Sequence, residues 1–548
     1  MENFIDLYAK SFSRNWNLPA LTDYPTRRTL TYGELTGKIR RLHAYFSIIG
    51  LKKGDKVALC ARDNADWVQV FMATVTYGAV IVPILNEFNP ADITHIVNHS
   101  DAVLFFVSDD IWEHMQPSQL LNARHVVSTQ TGTLLYSKKN SSGNKIRQLD
   151  SEFKRRYPAG VTRGDAAFYR RDNSELMVIN YTSGTTGFSK GVMLSGLSLA
   201  SNVSFAIGEK MFFRGSRVLS FLPLAHAYGC TFDMLAGLAA GSHITILGKK
   251  PSAPVLLKAL AQVKPYVQLC VPLVVEKIYK NKIRPMISRP AVARMLAIPV
   301  LRSVIRRKIR KSLIEAFGGS LEQLVIGGAP LNKEVEDFLH TIRFPYTVGY
   351  GMTECGPLIS YTYWKEFIPG SAGRTLPGME SIVMSEEPER VSGDICVKGP
   401  NVMLGYYKNP EATADVLDPD GWLRTGDMGT RLPDGTLFLR GRSKTMILTE
   451  SGQNIYPEEI ENKLNGMKYV AESLVVQRGK ILQALVYPDY EALDRDRIPH
   501  SALGKLMEAT CNDLNAMLAP YERISKIVCI PSEFEKTPKK SIKRFLYS

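Results

Sequence analysis

The chain has 548 residues, 45% of them hydrophobic and 22% charged, a composition typical of globular proteins. This length is too great for one domain, so we expect several packing units, which can bury a large core without disulfides or structural metals. Lysine and arginine outnumber acidic residues by 68 to 53, a formal net charge of +15. The excess favours anionic partners such as nucleotides, phosphorylated cofactors, nucleic acids or an acidic membrane face, although a lysine-rich soluble surface explains it equally well.

Seven scattered cysteines form no Cys-x-x-Cys pair, which argues against a zinc ribbon or a redox motif and suits reduced thiols in the cytoplasm. Residues Met1–Arg14 contain early acidic residues and no long apolar run, so we expect no signal peptide. The uncharged stretch Trp67–Leu85 is the best candidate for a membrane span. Because Gly78 and Pro83 interrupt it, we interpret it as a buried helix followed by a buried strand.

Helical and strand patterns alternate along the first hundred residues, with apolar strands that lack polar interruptions. This alternation predicts an α/β fold with largely parallel sheets. The polar stretch Ser128–Arg147 is predicted to be a loop. The predicted elements are helix Leu30–Ile49, strand Val57–Cys60, helix Trp67–Tyr77, strand Val80–Ile84, helix Pro90–His99 and strand Ala102–Val107.

A basic amphipathic helix is predicted over Leu296–Phe317, where apolar residues recur at three- and four-residue steps between arginines and lysines. The simplest interpretation is a surface helix that packs on the core and has a solvated face. Two functional alternatives remain open: peripheral contact with a membrane through residues 298–313, and contact with the phosphates of a cofactor.

A domain boundary is indicated near Gly441–Lys444, beyond an Asp434-Gly435 hairpin turn. We therefore expect a large domain over residues 1–441 and a small, mobile one over residues 442–548. In the small domain the pattern predicts helix Pro457–Leu464, strands Ser473–Gln477 and Leu482–Tyr487, and helix Ala502–Leu518.

The strongest motif is Tyr181-Thr-Ser-Gly-Thr-Thr-Gly-Phe-Ser-Lys-Gly191, which follows the apolar strand Leu176–Asn180. Glycines allow backbone amides to approach an anion closely, and hydroxyls and a lysine add donors and charge. A P-loop NTPase is excluded because its lysine precedes serine or threonine, whereas Lys190 precedes Gly191. We predict a polyphosphate-binding loop made by Thr182, Ser183, Gly184, Thr185, Thr186, Gly187 and Lys190.

This motif is similar to the signature of adenylate-forming enzymes, which include acyl-CoA synthetases, peptide-synthetase adenylation domains and firefly-type luciferases. Further motifs follow in the order that the family has them, so the resemblance covers nearly the whole chain. It implies a large N-terminal domain of mixed, mostly parallel sheets with flanking helices and a small β-barrel-like part. It also implies a small, mobile α+β C-terminal domain.

Two further motifs resemble parts of the acyl and adenine sites. In Phe221-Leu-Pro-Leu-Ala-His-Ala-Tyr-Gly229, the resemblance places His226 between the acyl site and the cofactor tunnel. Without the family, a packed histidine is the commoner role. Gly327-Gly-Ala-Pro330 resembles the loop beside adenine and the acyl carboxylate, so Gly328 and Ala329 are expected to bind the nucleotide.

Tyr350-Gly-Met-Thr-Glu354 is the second strong signal. An aromatic ring such as Tyr350 can stack on adenine, and Gly351 permits close backbone approach. Thr353 can hydrogen-bond a phosphate oxygen. Glu354 supplies a hard oxygen ligand for Mg²⁺, with Thr182 as the second expected metal ligand. Alone, a Thr-Glu pair is more often a helix cap.

The later motifs carry the expected ribose and hinge residues. Gly421-Trp-Leu-Arg-Thr-Gly-Asp427 resembles the motif whose aspartate accepts from both ribose hydroxyls. In the segment Gly441–Lys444, Arg442 is expected to touch ribose and Lys444 to be the pivot of domain rotation.

The last motif departs from the family pattern. The family has a catalytic lysine three residues after Thr-Pro, but here Thr537-Pro538 puts Ser541 at that position. Lys540 and Lys543 flank it, and a small loop shift would let either supply the ammonium group; a frayed, solvated tail is the alternative.

The resemblance implies an ATP-dependent fatty acid–CoA ligase that uses ATP, Mg²⁺ and coenzyme A. Val271–Tyr279 and the basic helix resemble long-chain synthetases, so a long-chain acid is favoured, and Gly237–Gly241 offers small residues for an apolar tunnel or for close helix packing. An acyl carrier protein as acceptor and a non-catalytic nucleotide- or acyl-binding relative remain alternatives. No nucleic-acid module is recognisable, and the oligomeric state stays open, a homodimer included.

Overall fold

The computed structural model describes residues 1–138, 148–182, 190–448, 453–479, 481–537 and 541–547. Within these residues the strands form seven sheets. The largest sheet has eight strands, of which the five from Leu176–Thr182 to His125–Ser128 are mutually parallel. In spatial order its strands are Gly405–Tyr406, Lys190–Ser195, Leu176–Thr182, Val80–Ile84, Lys56–Cys60, Ala102–Val107, His125–Ser128 and Leu134–Ser137.

The predicted α/β character is confirmed, because apolar parallel strands lie between helices and are buried on both faces. The predicted loop Ser128–Arg147 is wrong at Leu134–Ser137, which adds an antiparallel edge strand. The helices of the first 240 residues are Phe4–Arg14, Tyr32–Ile48, Ala65–Tyr77, Pro90–His99, Asp109–Trp112, Leu149–Arg156, Gly196–Gly208 and Gly237–Ala240, with a π-helical stretch at Gly229–Ala236.

The apolar stretch Trp67–Leu85 folds as predicted, into the buried helix Ala65–Tyr77 and the buried strand Val80–Ile84. Gly78 ends the helix with a φ of 98°, a left-handed conformation that glycine adopts at little cost. Among the described residues, no helix is both long and apolar enough to cross a membrane.

Two smaller sheets also contain parallel strands. A four-stranded sheet has the order Arg217–Ser220, His243–Ile246, Pro19–Asp23 and Thr29–Thr31. A three-stranded parallel sheet has the order Val267–Cys270, Gln323–Ile326 and Tyr346–Val348. The helices near it in sequence are Ala253–Val263, Pro272–Ile278, Arg284–Ile287, Pro290–Ala297, Pro299–Ala316 and Lys333–Thr341, with a π-helical stretch at Tyr279–Ile283.

The barrel-like part that was predicted takes the form of two antiparallel sheets connected by the isolated bridge between Arg374 and Thr436. The predicted Asp434-Gly435 hairpin joins two of the strands. One sheet contains Tyr350–Gly351, Leu358–Tyr361 and Arg374–Thr375; the other contains Glu380–Met384, Gly393–Lys398, Leu423–Arg431 and Leu437–Arg442. The helix Pro410–Ala414 lies in sequence between the second and third strands of this second sheet.

Residues after Ile447 form a separate hydrophobic core. Helix Pro457–Gly466 packs on strand Val470–Arg478 and also contacts the larger part of the molecule, where Asn332 donates to the carbonyl of Asn462 at 2.8 Å. The remaining elements here are strands Ile447–Leu448, Asn454–Ile455, Ile481–Pro488 and Lys526–Cys529 and helices Tyr490–Arg495 and Leu503–Ala516.

The basic helix predicted over Leu296–Phe317 is wrong at its start. Ile298 has an extended backbone with a ψ of 121°, and the chain forms two helices, Pro290–Ala297 and Pro299–Ala316. The cause is Pro299, which disfavours helical geometry at the preceding residue and starts the next helix instead.

Candidate functional site

The predicted phosphate loop connects two antiparallel strands of the large sheet. Thr182 and Lys190 pair across these strands, so the two ends of the loop lie side by side. Ser183, Gly184, Thr185, Thr186 and Gly187 lie outside the described residues. The hairpin therefore presents one hydroxyl and one ammonium group at the base of the predicted loop.

A cavity of about 150 Å³ lies at the carboxyl ends of the three-stranded parallel sheet, where α/β proteins usually bind ligands. It brings together five residues that the sequence assigned to the site: His226, Gly328, Tyr350, Gly351 and Thr353. The rest of its lining is mostly apolar, comprising Met211, Ala227, Tyr228, Phe232, Leu269, Val325, Gly327, Gly349, Met352, Pro357, Leu358 and Tyr361.

Glycine is required at two of these positions. Gly328 has a φ of 87°, the left-handed region that other residues rarely adopt. A Cβ atom on Gly351 would lie 2.1 Å from the carbonyl oxygen of Pro357, so any side chain there would force the two strands apart. Ala329 follows Gly328 at the exposed rim of the same turn.

His226 is half-buried, and two side chains from distant parts of the sequence hold the segment that carries it. The backbone amide of Leu224 donates to Asp63 Oδ2 at 3.1 Å, and Asn180 Nδ2 donates to the carbonyl of Ala225 at 3.0 Å. Asp63 and Asn180 therefore anchor both residues before His226. Sequence reasoning missed both anchors because they are distant in sequence and belong to no motif.

Tyr350, Asp427 and Arg442 form one connected group, in which Tyr350 and Asp427 are buried and Arg442 is exposed. The Tyr350 hydroxyl donates to Asp427 Oδ2 at 2.6 Å, and Arg442 Nε lies 2.8 Å from Asp427 Oδ1. Burial raises the pKa of Asp427, and the Arg442 guanidinium opposes that rise. Burial, with the Asp427 charge, raises the pKa of Tyr350 well above its usual value, so its hydroxyl stays a donor.

Glu354, Tyr406 and Lys190 form a second group. The Tyr406 hydroxyl donates to Glu354 Oε1 at 2.9 Å, and the ring of Tyr406 lies 4.6 Å from the Lys190 ammonium. Burial, followed by the Glu354 charge, raises the pKa of Tyr406, so the phenol stays protonated and donates. Tyr406 thus links two residues that the sequence had assigned separately.

The donors present suit a magnesium ion that arrives on phosphates. Among the described residues, no three His, Cys, Asp or Glu side chains gather into a metal cluster. Magnesium commonly takes one or two protein carboxylates and completes its shell with substrate phosphates and water. One buried carboxylate, Glu354, beside the base of a predicted phosphate loop matches that pattern, and Thr182 lies at the loop's base.

Lys543 is not part of this arrangement. Lys543 Nζ lies 3.5 Å from Glu535 Oε2, and in the part of the chain that the structure describes no contact joins it to the cavity. Lys540 lies outside the described residues. The backbone amide of Thr537 donates to the carbonyl of Ser541 at 2.8 Å, so the tail folds back on itself.

The small residues Gly237–Gly241 serve helix packing. A Cβ on Gly237 would come within 3.0 Å of Ile244, so the helix lies close against the strand His243–Ile246. Gly241 ends that helix with a φ of 82°. None of the residues Gly237–Gly241 is among the described residues that line the cavity.

The chain belongs to the AMP-binding enzyme family, whose model matches residues 9–407. This is the adenylate-forming superfamily, and the resemblance seen in the motifs is confirmed.

Relatives at modest identity cover most of the chain. It is 27% identical over 559 residues to the long-chain-fatty-acid–CoA ligase FadD15 of Mycobacterium bovis, covering 94% of this chain and 90% of the relative. It is 28% identical over 522 residues to the peroxisomal long chain acyl-CoA synthetase 6 of Arabidopsis thaliana, covering 88% of this chain and 72% of that protein.

Solved structures share the fold along the full length. ATP-bound MatB from Rhodopseudomonas palustris superposes with a TM-score of 0.76 at 23% identity, covering 100% of this chain and 98% of that one. The anthranilate CoA ligase AuaEII, in complex with anthranoyl-AMP, superposes with a TM-score of 0.78 at 20% identity, covering 100% and 96%. At these identities the likeness supports the fold alone.

Proposed function

We propose that the protein is an ATP-dependent fatty acid–CoA ligase, and that a long-chain acid is its substrate. The observation that carries the proposal is the cavity that joins His226, Gly328, Tyr350, Gly351 and Thr353 at the carboxyl ends of a parallel sheet. The fatty-acid assignment is supported by the relatives' names and by the apolar lining of the cavity.

In the first half-reaction, a carboxylate oxygen attacks the α-phosphorus of ATP. An oxygen–phosphorus bond forms, the bond to the bridging oxygen breaks, and pyrophosphate leaves with the electron pair. Lys190 is proposed to neutralise charge on the phosphates, and the Thr353 hydroxyl to donate a hydrogen bond to a phosphate oxygen, so that both stabilise the charge of the transition state. Glu354 would hold Mg²⁺, which when bound supplies further neutralisation of phosphate charge.

The nucleoside is proposed to lie against the group formed by Tyr350, Asp427 and Arg442. Tyr350 stacks on adenine, while Asp427 and Arg442 contact the ribose. Because one Asp427 oxygen accepts from Tyr350 and the other is ion-paired with Arg442, ribose hydroxyls must share or replace the contact with Arg442. Nucleotide binding is thereby coupled to Arg442, which lies at the proposed boundary between the domains of residues 1–441 and 442–548.

In the second half-reaction, the thiol of coenzyme A attacks the acyl carbonyl carbon of acyl-AMP. A carbon–sulfur bond forms, the carbon–oxygen bond to AMP breaks, AMP leaves with the electron pair, and the thiol proton passes to water. Rotation of the small domain about Lys444 is proposed to exchange the groups at the site between the two steps. Lys540 or Lys543 is proposed to replace the family lysine at Ser541 in the first step.

Chain length is the least constrained part of the proposal. A cavity of about 150 Å³ is smaller than typical ligand pockets of about 300–1,000 Å³. A long acyl chain therefore needs lining side chains to change rotamer, for which unbranched Met211 is well suited.

We place the reaction in the cytoplasm, in keeping with seven free cysteines.

An acyl-chain panel tests this function directly. We expect AMP formation with saturated acids that rises toward long chains and depends on coenzyme A, and weak activity when an acyl carrier protein replaces it. Lys190→Ala and Glu354→Ala should each lower kcat/KM for ATP by about tenfold or more, as expected for lost charged contacts.

The matched control is Lys38→Ala, an exposed lysine on helix Tyr32–Ile48 that is distant in sequence from every motif. Full activity in both Lys540→Ala and Lys543→Ala would show that neither terminal lysine acts. Release of pyrophosphate that does not depend on any fatty acid would contradict the proposal as a whole.

A further inference from the structure

Five large apolar side chains are exposed within ten residues at the junction of helices Pro290–Ala297 and Pro299–Ala316. Apolar groups this concentrated on a surface usually mark an interaction site. The exposed fractions are 38% for Met295, 50% for Ile298, 72% for Val300, 39% for Leu301 and 57% for Val304.

The same segment is strongly cationic. Residues 284–316 contain nine lysines and arginines and one acid, Glu315. Lys311 lies 3.9 Å from Glu315, and within the described residues no other ion pair involves the helix Pro299–Ala316. Of the nine cations, Arg284 also has an acidic partner, Glu334 at 3.4 Å. The other seven have no ion-pair partner among the described residues, so most of the positive charge is available to an external partner.

Helix geometry places the apolar and cationic groups on one outward face. Ile309 and Leu313 are buried and fix the inward side. At 100° per residue, Val300, Val304, Arg307 and Lys311 lie on the opposite side, with the valines in the first turns and the cations in the later ones. We call these side chains, with Met295, Ile298, Leu301 and Lys308, the basic–apolar surface.

The junction between the two helices is held in place by Arg302. Its Nε donates to the carbonyl of Leu296 at 2.7 Å, and its Nη2 donates to that of Ala297 at 3.1 Å. The turn that carries Ile298 is thereby attached to the second helix, so the exposed apolar groups form a fixed surface.

We propose that the basic–apolar surface docks on an anionic lipid bilayer. Apolar side chains at the junction enter the headgroup region, while the cations farther along contact lipid phosphates, which is how interfacial helices bind membranes. Cofactor phosphates explain the cations but leave the exposed valines without a role. A merely solvated face leaves both the apolar cluster and the missing counter-charges unexplained.

The test is co-sedimentation with vesicles of equal parts phosphatidylcholine and phosphatidylglycerol, at several salt concentrations. Wild-type protein should bind these vesicles, bind less as salt rises, and not bind pure phosphatidylcholine. The triple variant Arg307→Glu, Lys308→Glu, Lys311→Glu and the double variant Val300→Asp, Val304→Asp should each bind at least about tenfold more weakly.

Matched variants elsewhere on the surface control for charge and polarity. The triple Lys505→Glu, Arg523→Glu, Lys526→Glu makes the same charge change, and the double Met384→Asp, Val391→Asp alters exposed apolar residues. Both should bind vesicles like the wild type. Because all changed residues are exposed, thermal unfolding should be nearly unaffected.

Three results would overturn the proposal. The first is wild-type protein that does not bind anionic vesicles. The second is undiminished vesicle binding by both the triple and the double variant of the basic–apolar surface. The third is a wild-type dimer that these variants dissociate without any vesicle binding, which would assign the surface to a second copy. Ligase activity on a short, soluble acid should be equal in all variants, so failure here is distinct from failure of the proposed function.

Discussion

Tyr406 contacts two oppositely charged residues of the proposed site, Glu354 and Lys190. Its hydroxyl holds Glu354 and its ring lies under the Lys190 ammonium, so it keeps an anion and a cation at a fixed separation. A buried carboxylate that lost this donor would reorient toward any other donor within reach, Lys190 included. Tyr406 is therefore a positioning residue for the proposed phosphate and metal contacts.

Tyr406→Phe removes the hydroxyl and keeps the ring. We expect KM for Mg–ATP to rise and kcat/KM to fall by about tenfold, because a hydrogen bond to a charged group is worth about 1.5–3 kcal/mol. Steady-state kinetics of pyrophosphate release measures both quantities. A magnesium titration at saturating ATP should show weaker binding of magnesium by the variant.

The control is Tyr407→Phe, which removes a similar hydrogen bond, 2.8 Å long, to Asp101. It should leave ATP use unchanged. Equal kinetic losses in both variants would show that the effect is general destabilisation, and an unaltered Tyr406→Phe would contradict the positioning role.

At this scale the sequence predicts residues that belong to motifs and misses those that support them. His226, Gly328, Tyr350, Gly351 and Thr353 were all named from local patterns, and they share one cavity. Partners such as Tyr406 arrive from strands far away in sequence, and no short pattern marks them. Their roles toward a ligand stay predictions.

Helices Tyr32–Ile48 and Ala65–Tyr77 are joined by a buried histidine. His43 Nε2–H donates to the carbonyl of Ala73 at 3.0 Å, and its Nδ1, 3.4 Å from Arg40 Nη1, is left as the acceptor. Protonation of Nδ1 would place a second cation against Arg40. Burial, with that guanidinium, lowers the pKa of His43 to about 3.

This lowered pKa predicts acid sensitivity. A histidine whose folded pKa lies below its unfolded value of about 6.5 contributes stability above that pH and loses it as pH falls toward 3. The unfolding temperature of the wild type should therefore drop between about pH 6.5 and 4. His43→Gln keeps a donor but cannot titrate, so its drop over that range should be smaller.

Scanning calorimetry at several pH values makes the comparison. His95→Gln, on the helix Pro90–His99 and exposed, serves as a control. Parallel curves for wild type and His43→Gln would contradict the assignment of acid sensitivity to this histidine.

At the scale of helices and strands, hydrophobic periodicity predicts an element correctly where no residue, such as proline, interrupts its backbone geometry. Strands Val80–Ile84 and Ala102–Val107 and helix Pro90–His99 have the predicted bounds. The prediction of one basic helix failed because the apolar spacing continues through Ile298-Pro299, whereas the proline ends one helix and starts another there. The edge strand Leu134–Ser137 was missed because its polar neighbours resemble a loop.

At the scale of the whole molecule, several side-chain-to-backbone hydrogen bonds join the small C-terminal core to the larger part. Helix Pro457–Gly466 lies against Asn332, and Arg284 donates to the carbonyl of Gly466 at 3.0 Å. These are polar contacts, which suit a proposed domain that must detach and rotate. The sequence predicts the two-domain order from motif order, but it cannot give the docked orientation, because that depends on such long-range pairs.

A crystal structure with ATP tests the central claim most directly. We predict adenine against Tyr350, ribose at Asp427, and phosphates between Thr182 and Lys190 with their magnesium ion on Glu354. Nucleotide bound anywhere else, with the cavity and the hairpin unchanged, would contradict the proposed site and with it the proposed ligase.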